Sequence, residues 1–476
     1  MNIAHDFPDS LSPMLVKELR QGMRSKALIS SLFLLQGLLI LNAIVGLAAA
    51  EEGDLTGTTA LFWTILSLPL LLILPLSALG GIGNEIKANT LDLVFLTRLT
   101  ARRIVLGKWI AVVAQSVLLA TTVLPYIALR YYLGGVNITA DLVSAGALVV
   151  ASAMISALTV ALSSYPSKVV RIFIGIGFFF SLQMLAGIGA AFIVGGRFGL
   201  ISVWGAWPVV SAIALLIPLF IVLMIEVGSI RIAPAAENHA GMCRLLALLA
   251  LVITGAAGLL SARAEWMIIL GQVMATPFCI AALCEAPPVV PGVFRPLVRR
   301  GPAGRILAVI FTPGWHTGVL YVLLVWLLLW AFWQQAGWLD GSAEGLRRRL
   351  SLLGFGASLL IPAIIAPALS RKRIFYYIGF FGLSLVIFLV TGVLSEVGSD
   401  HSEWINATAF LPPLALFAPG FESLQAAPQL IWMGFLVAVI AVVYWFKSRA
   451  AWQQFVKLRA LALSHERQNN RHAARN

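Results

Sequence analysis

Charge is what this chain has least of. Only 11% of its residues are Asp, Glu, Lys or Arg, while 60% are hydrophobic; an ordinary soluble domain carries about 25% charged residues. The shortage excludes a soluble globular protein and points to one that crosses a bilayer many times. Acids are the scarcer sign, 20 against 33 basic residues, for a net charge of +13. In a soluble protein that excess would suggest nucleic acid. Here most Lys and Arg flank apolar runs, as positive-inside topology and anionic headgroups require, so the expected partner is the lipid bilayer and not nucleic acid. Cysteine is nearly absent as well. Cys243, Cys279 and Cys284 are odd in number and lack metal-ligand spacing, which reads as small core residues.

Catalytic patterns are missing. There is no His-Glu-x-x-His pair for zinc, no acidic cluster for a metal-held sugar nucleotide and no Gly-x-Ser-x-Gly elbow. Histidines are few and scattered, and His316, at a helix start beside Trp315, reads as an interfacial residue. A Gly-x4-Gly-Lys-Ser/Thr phosphate loop is also absent, so the chain cannot hydrolyse ATP by that route. No catalytic, cofactor or metal site is expected, and the chain does not read as an enzyme. Ion-coupled transporters keep ionisable residues at membrane depth because only function repays their cost there. In this chain the deep polar residues are neutral, Gln36, Asn42, Gln115, Gln183 and Gln272, while Glu226, Glu285 and Arg130 lie near helix ends. That disfavours ion coupling. The amides either line a path or join helices by hydrogen bonds.

What remains is a succession of apolar runs long enough to span: Ala27 to Ala50, Ala60 to Ile82, Trp109 to Leu129, Leu142 to Ser163, Val169 to Val194, Val203 to Val227, Cys243 to Ser261, Trp266 to Leu283, His316 to Trp333, Leu350 to Leu369, Ile374 to Leu394 and Leu430 to Phe446. Lipid leaves no water to satisfy open strands, so the fold class is an all-α polytopic membrane protein with about twelve transmembrane helices. Ala48-Ala49-Ala50 resembles a signal cleavage site. The preceding apolar run exceeds about 20 residues where signal cores run about 7 to 15, so it is read as a transmembrane helix. Ile405 to Ala418, broken by Pro412-Pro413, reads as a re-entrant or interfacial helix.

Loop charge sets the topology. The N-terminus, the Gly83–Lys108 loop, the loops with Lys168, with Arg231 and Arg244, and with Arg295, Arg299, Arg300 and Arg305, the Arg371-Lys372-Arg373 turn and the tail after Lys447 are cationic. Alternate loops carry Glu51, Glu52 and Asp54, then Asp141, then Glu396, Asp400 and Glu403. Both termini are thus expected in the cytoplasm, with the protein multi-pass in the cytoplasmic (inner) membrane. One loop dissents: Arg347-Arg348-Arg349 falls on the outer side, where it either touches outer headgroups or marks an error in the local helix count.

Two polar stretches stand out. From Ser12 as N-cap and Pro13 at the first helical position, SPMLVKELRQGMRSK puts Leu15, Val16, Leu19, Gly22 and Met23 on one arc and Lys17, Arg20, Gln21, Arg24 and Ser25 on the other, an amphipathic helix lying in the membrane surface. Between two spans, Gly83 to Lys108 holds Lys87, Arg98, Arg102, Arg103 and Lys108 against Glu85 and Asp92. Thr90 can cap a short helix from Leu91 to Thr97, with Asp92 in its first turn, and Thr100 can cap the next. Its apolar residues Leu91, Leu93, Val94, Phe95 and Leu96 either fill a groove on a cytoplasmic partner or dip into the interface.

The run Thr90-Leu91-Asp92-Leu93-Val94-Phe95-Leu96-Thr97-Arg98-Leu99-Thr100, then Arg103-Ile104-Val105-Leu106-Gly107-Lys108, resembles the Thr-Leu-Glu-x-Leu-Leu-x-Thr-Pro-Leu-Ser…Ile-x-x-Gly-Lys signature of type 2 ABC exporter permeases. The start Pro13-Met14-Leu15-Val16-Lys17-Glu18-Leu19-Arg20 with Arg24-Ser25 is similar to the opening of the same group. Arg98 stands where that family has Pro, and Asp92 stands for Glu. The resemblance implies a connecting helix over Ser12–Lys26, with Lys17, Glu18, Arg20 and Arg24. It also implies a coupling helix formed by Thr90, Leu91, Asp92, Val94, Phe95, Leu96, Thr97 and Arg98, with Arg102 and Arg103 beside it. That helix would dock on a separate ATP-binding cassette subunit, which would bind ATP and Mg; a second permease chain is a further implied partner. Residues 1–26 would be the N-terminus and connecting helix, 27–228 a six-helix permease core with coupling loop 83–108, 229–446 a second group of about six helices, and 447–476 a basic cytoplasmic tail. The second group is either a diverged second permease unit or an accessory region. The expected function is export across the cytoplasmic membrane; the alternatives are an ion-coupled secondary transporter and a non-transporting membrane enzyme or scaffold.

Overall fold

The computed structural model describes residues 13–52, 56–87, 100–133, 137–165, 167, 171–172, 200–261, 264–365, 373–397, 411–415 and 426–473. Among them every regular element is helical. Among the described residues ten helical segments are long and apolar enough to cross a membrane, and the protein is a multi-pass helical membrane protein. They coincide with the expected spans except for two. The run 169–194 lies, but for 171–172, outside the described residues, and 374–394 falls within a helix, Arg373–Val397, that is not one of the ten. Of the expected interfacial stretch 405–418 only 411–415 is described, with a single helical turn at Pro412–Ala415.

The chain forms two compact units, one of residues 1–175 and 220–233, the other of 176–219 and 234–476. The first unit contains α1 (Pro13–Met23), α2 (Lys26–Glu52), α3 (Thr56–Leu68), α4 (Leu74–Ser77), α5 (Gly81–Lys87), α6 (Ala101–Thr121), α7 (Leu124–Leu133), α8 (Ile138–Ser163) and the last turns of α9 (Leu200–Ile230). Leu28, Leu35 and Leu39 of α2 pack with Phe62 and Leu66 of α3 and with Leu119 and Ile127. The opposite face of α2 leaves Phe33, Leu41 and Ile44 more than half exposed, a surface suited to lipid and a liability in water. The inward face of α8 is built of Ser152, Ala153, Ser156, Ala157 and Ala161, small side chains that let helices approach closely where burial of apolar area cannot drive association.

Prolines break the second span. After α3 a π turn runs over Pro69–Ile73 and a 3-10 turn over Ala78–Gly80. Leu74 N–H bonds to Pro69 O instead of Leu70 O, and Pro75 has no N–H to offer, so the Leu70 carbonyl loses both possible helical donors. Ser152 Oγ replaces them at 2.7 Å and lies 2.9 Å from Ser116 Oγ. Ser152 of α8 thus satisfies a backbone group that lipid could not.

The second unit contains the start of α9, then α10 (His239–Leu259), α11 (Ala264–Cys284), α12 (Arg295–Val298), α13 (Gly301–Phe311), α14 (Trp315–Gln335), α15 (Ala343–Ile365), α16 (Arg373–Val397), α17 (Pro412–Ala415) and α18 (Ala426–Ala473). α18 continues without a break from its apolar half into the basic stretch expected as a tail. The dissenting arginines open α15, where Ser342 Oγ caps Gly345 N–H. Arg348 bonds Glu344 and lies 4.3 Å over the Trp338 ring, and Arg349 donates to Leu339 O at 2.6 Å. These contacts engage the two cations within the protein.

Candidate functional site

The structure brings together the helix at the chain's start and both ends of the polar loop. Thr90, Leu91, Asp92, Val94, Phe95, Leu96, Thr97 and Arg98 lie outside the described residues, as do Ser12 and the rest of 88–99. What is described is the base from which they extend. Lys108 Nζ, in α6, lies 2.9 Å from Glu18 Oε1 of α1 and 3.0 Å from Glu85 Oε1 of α5. The Lys108 side chain is 8% exposed, and Glu18 and Glu85 are 12% and 17%. Lys17 approaches Glu85 at 3.6 Å but is 55% exposed. The shielded contacts carry the junction's energy, since exposed pairs are worth at most about 1 kcal/mol.

Packing holds the three helices at that distance. Gly22 of α1 sits so close to α6 that a Cβ there would meet Gln115 Nε2 at 2.2 Å, and a Cβ on Gly83 of α5 would meet the Ser163 carbonyl at 2.9 Å. Ile82 N–H reaches Ser163 Oγ at 3.3 Å, and the surrounding core is Ile82, Ala101, Ile104, Val105, Val160 and Ile225.

The predicted residues divide clearly. α1 starts at Pro13 and ends at Met23, short of the Lys26 expected; Arg24 is exposed in the turn that follows. Leu15, Val16, Leu19 and Gly22 are half-buried and Lys17, Arg20 and Gln21 exposed, but Met23 of the apolar arc is also 54% exposed. Thr100 occupies the N-cap of α6, yet its side chain makes no capping bond; its carbonyl accepts from Arg103 and Ile104 N–H. Cations in a first turn oppose the helix dipole. Glu226, 3% exposed, offsets Arg102 with an Oε1–Nε contact of 3.2 Å, while Arg103 is exposed. Lys108, Glu85 and Glu226 are the residues that the site prediction misses. Lys108 ends the Ile-x-x-Gly-Lys pattern, which was the available signal.

The second unit holds a different buried cation. Arg244 was expected as a loop charge facing headgroups; it lies inside α10 and is 1% exposed. Its guanidinium donates to Ile310 O (2.7 Å), Thr312 O (2.9 Å), Thr317 Oγ1 (3.1 Å), Gly314 O (3.2 Å) and Ala282 O (3.4 Å), and lies 2.5 Å from Glu285 Oε2. Gly314, at φ +137°, breaks the chain between α13 and α14 and turns its N–H to Glu285 Oε2, which leaves the Ile310 carbonyl to Arg244; the planar fork of Arg reaches the other carbonyls around the break as well. Burial pushes the Glu285 carboxyl above its usual range, and Arg244 and the Gly314 N–H pull it back. His316, read as interfacial, lies in the first turn of α14. It is fully buried, against Trp452 and Phe455 at ring distances of 4.8 and 5.8 Å. Among the described residues no three His, Cys, Asp or Glu side chains come together to hold a metal.

Of the neutral amides, Gln36 joins helices. It donates to Thr122 Oγ1 at 2.8 Å and accepts from Tyr126 OH at 2.9 Å. Asn42 lines a cavity of about 20 Å³ beside Arg130, room for a water. Arg130 itself pairs with Asp141 at 2.8 Å.

No protein-family model, curated protein or solved structure matches this chain. The geometry and the motif therefore carry the functional reading.

Proposed function

We propose that this chain is the membrane-spanning permease subunit of an ATP-binding cassette exporter, driven by a separate ATP-binding subunit that holds ATP and Mg. In this reading it spans the cytoplasmic membrane about twelve times with both termini in the cytoplasm. Leu91 to Thr97 forms the coupling helix, α1 is the connecting helix, and the chain supplies the path and no catalytic group. Besides the motif, one observation supports the reading: Lys108 ties the surface helix, through Glu18, to both ends of the 88–99 segment. A force applied by a partner to that segment would reach α1, α5 and α6 together, because a shielded ion pair resists separation far more than an exposed one. The helix switch would then be driven from one point at the membrane surface.

Extraction of the full chain from its native membrane in mild detergent tests this. The expected result is co-purification of an ATPase whose association is lost in Leu93→Asp/Phe95→Asp while the chain stays monodisperse. Absence of any ATPase from the wild-type preparation, or its retention by the double variant, would contradict the proposal.

A further inference from the structure

A groove of about 550 Å³ opens in the second unit between α13, α14 and α18, within the range of ligand pockets. One wall is the α14 ridge Leu320, Leu323, Leu324 and Leu327, whose i, i+3, i+4, i+7 spacing makes a continuous apolar track roughly 10 Å long at 1.5 Å per residue. Its other walls are carried by α13 and α18, and each contributes one cation, Arg305 and Arg459. These two helices flank the start of α14, while the leucine track continues into the span.

Neither arginine has an ion-pair partner among the described residues; Arg459 only stacks on Phe455 at 5.7 Å. Ile306 and Leu327 on the groove's walls are 70% and 59% exposed. Apolar surface along a spanning helix with two unpaired guanidiniums matches one ligand chemistry, an acyl chain joined to a phosphate. Guanidinium forks bind phosphate oxygens in pairs.

We infer that this groove is a binding site for an anionic phospholipid, with an acyl chain along Leu320–Leu327 and the phosphate between Arg305 and Arg459. The site involves neither the 83–108 loop nor the Lys108 junction, so it stands independently of the permease reading. An acyl tail satisfies the leucine track as any lipid would; the arginines select the headgroup, each contributing the attraction expected of a cation at an anionic surface.

Native mass spectrometry of the delipidated full chain, titrated with phosphatidylglycerol and, separately, with phosphatidylcholine of the same chains, reads this directly. The wild type should hold one phosphatidylglycerol that phosphatidylcholine does not match at equal concentration. Arg305→Gln/Arg459→Gln should weaken that event on the order of thirty-fold, the loss of two headgroup cations, leaving phosphatidylcholine binding unchanged. Leu324→Trp should weaken both lipids by filling the track. Equal binding of the two lipids by the wild type, unchanged phosphatidylglycerol binding by the double arginine variant, or a chain dimer that excludes lipid would overturn the inference. The wild-type headgroup comparison needs no variant to fold.

Discussion

Lys108 in the first unit and Arg244 in the second are both buried cations inside helices, and they are held in opposite ways. Lys108 is gripped by two carboxylates from segments far apart in sequence. Arg244 has one carboxylate and is otherwise surrounded by backbone carbonyls around the break at Gly314 and at the end of α11. A junction of side chains can be rearranged by moving the helices that carry them. One made of backbone carbonyls is part of the fold and offers nothing to exchange. The contrast teaches that burial alone does not mark a moving part; what matters is whether the partners can leave.

The largest expected effect comes from breaking the second junction. Arg244→Met strands the Glu285 carboxylate and the Ile310 and Ala282 carbonyls and should cost at least about 3–5 kcal/mol, seen as a large fall in thermal midpoint in detergent. Adding Glu285→Gln should recover little of it, because the Ile310 and Ala282 carbonyls still lack the donor that Arg244 gave them. Lys108→Met should cost about 3–5 kcal/mol by itself. Here, adding Glu18→Gln and Glu85→Gln should restore most of the loss, since the orphaned groups are then neutral side chains. Equal rescue at the two sites, in the same thermal assay, would erase the distinction.

Smaller changes sharpen it. Gly83→Ala places a methyl against the Ser163 carbonyl and should cost about 1–3 kcal/mol, measurable as a lower midpoint without loss of helix content. Lys17→Met removes a mostly exposed partner of Glu85 and should shift stability by less than about 1 kcal/mol.

The spans were the legible part of this sequence, because a helix in lipid needs only length and apolarity, as in 28–48. Caps were less so: Thr100 sits at the N-cap of α6 without a side-chain bond, while Asn137, not singled out in the sequence, accepts from Thr139 and Ala140 N–H. The Lys108 junction was not, since Glu18 lies 90 residues from Lys108 and no periodicity connects them. Arg244 misled because a cation six residues into a helix looks like one facing headgroups until the carbonyls around it are known. The π turn at Pro69–Ile73 was equally hidden, as it depends on Ser152 being available 82 residues away. The pattern Ile-x-x-Gly-Lys pointed to Lys108 only through family resemblance, not through anything local that says what the lysine grips.

In the proposed permease, Lys108 passes motion from the 88–99 segment to α1. Hydrogen exchange at 13–23 in the purified assembly, with and without ATP and Mg, tests it most directly. The account predicts that nucleotide changes exchange in α1 of the wild type and that the change disappears in Lys108→Met/Glu18→Gln/Glu85→Gln while the ATPase remains bound. Exchange in α1 that ignores nucleotide in the wild type, or responds equally in the triple variant, would contradict it.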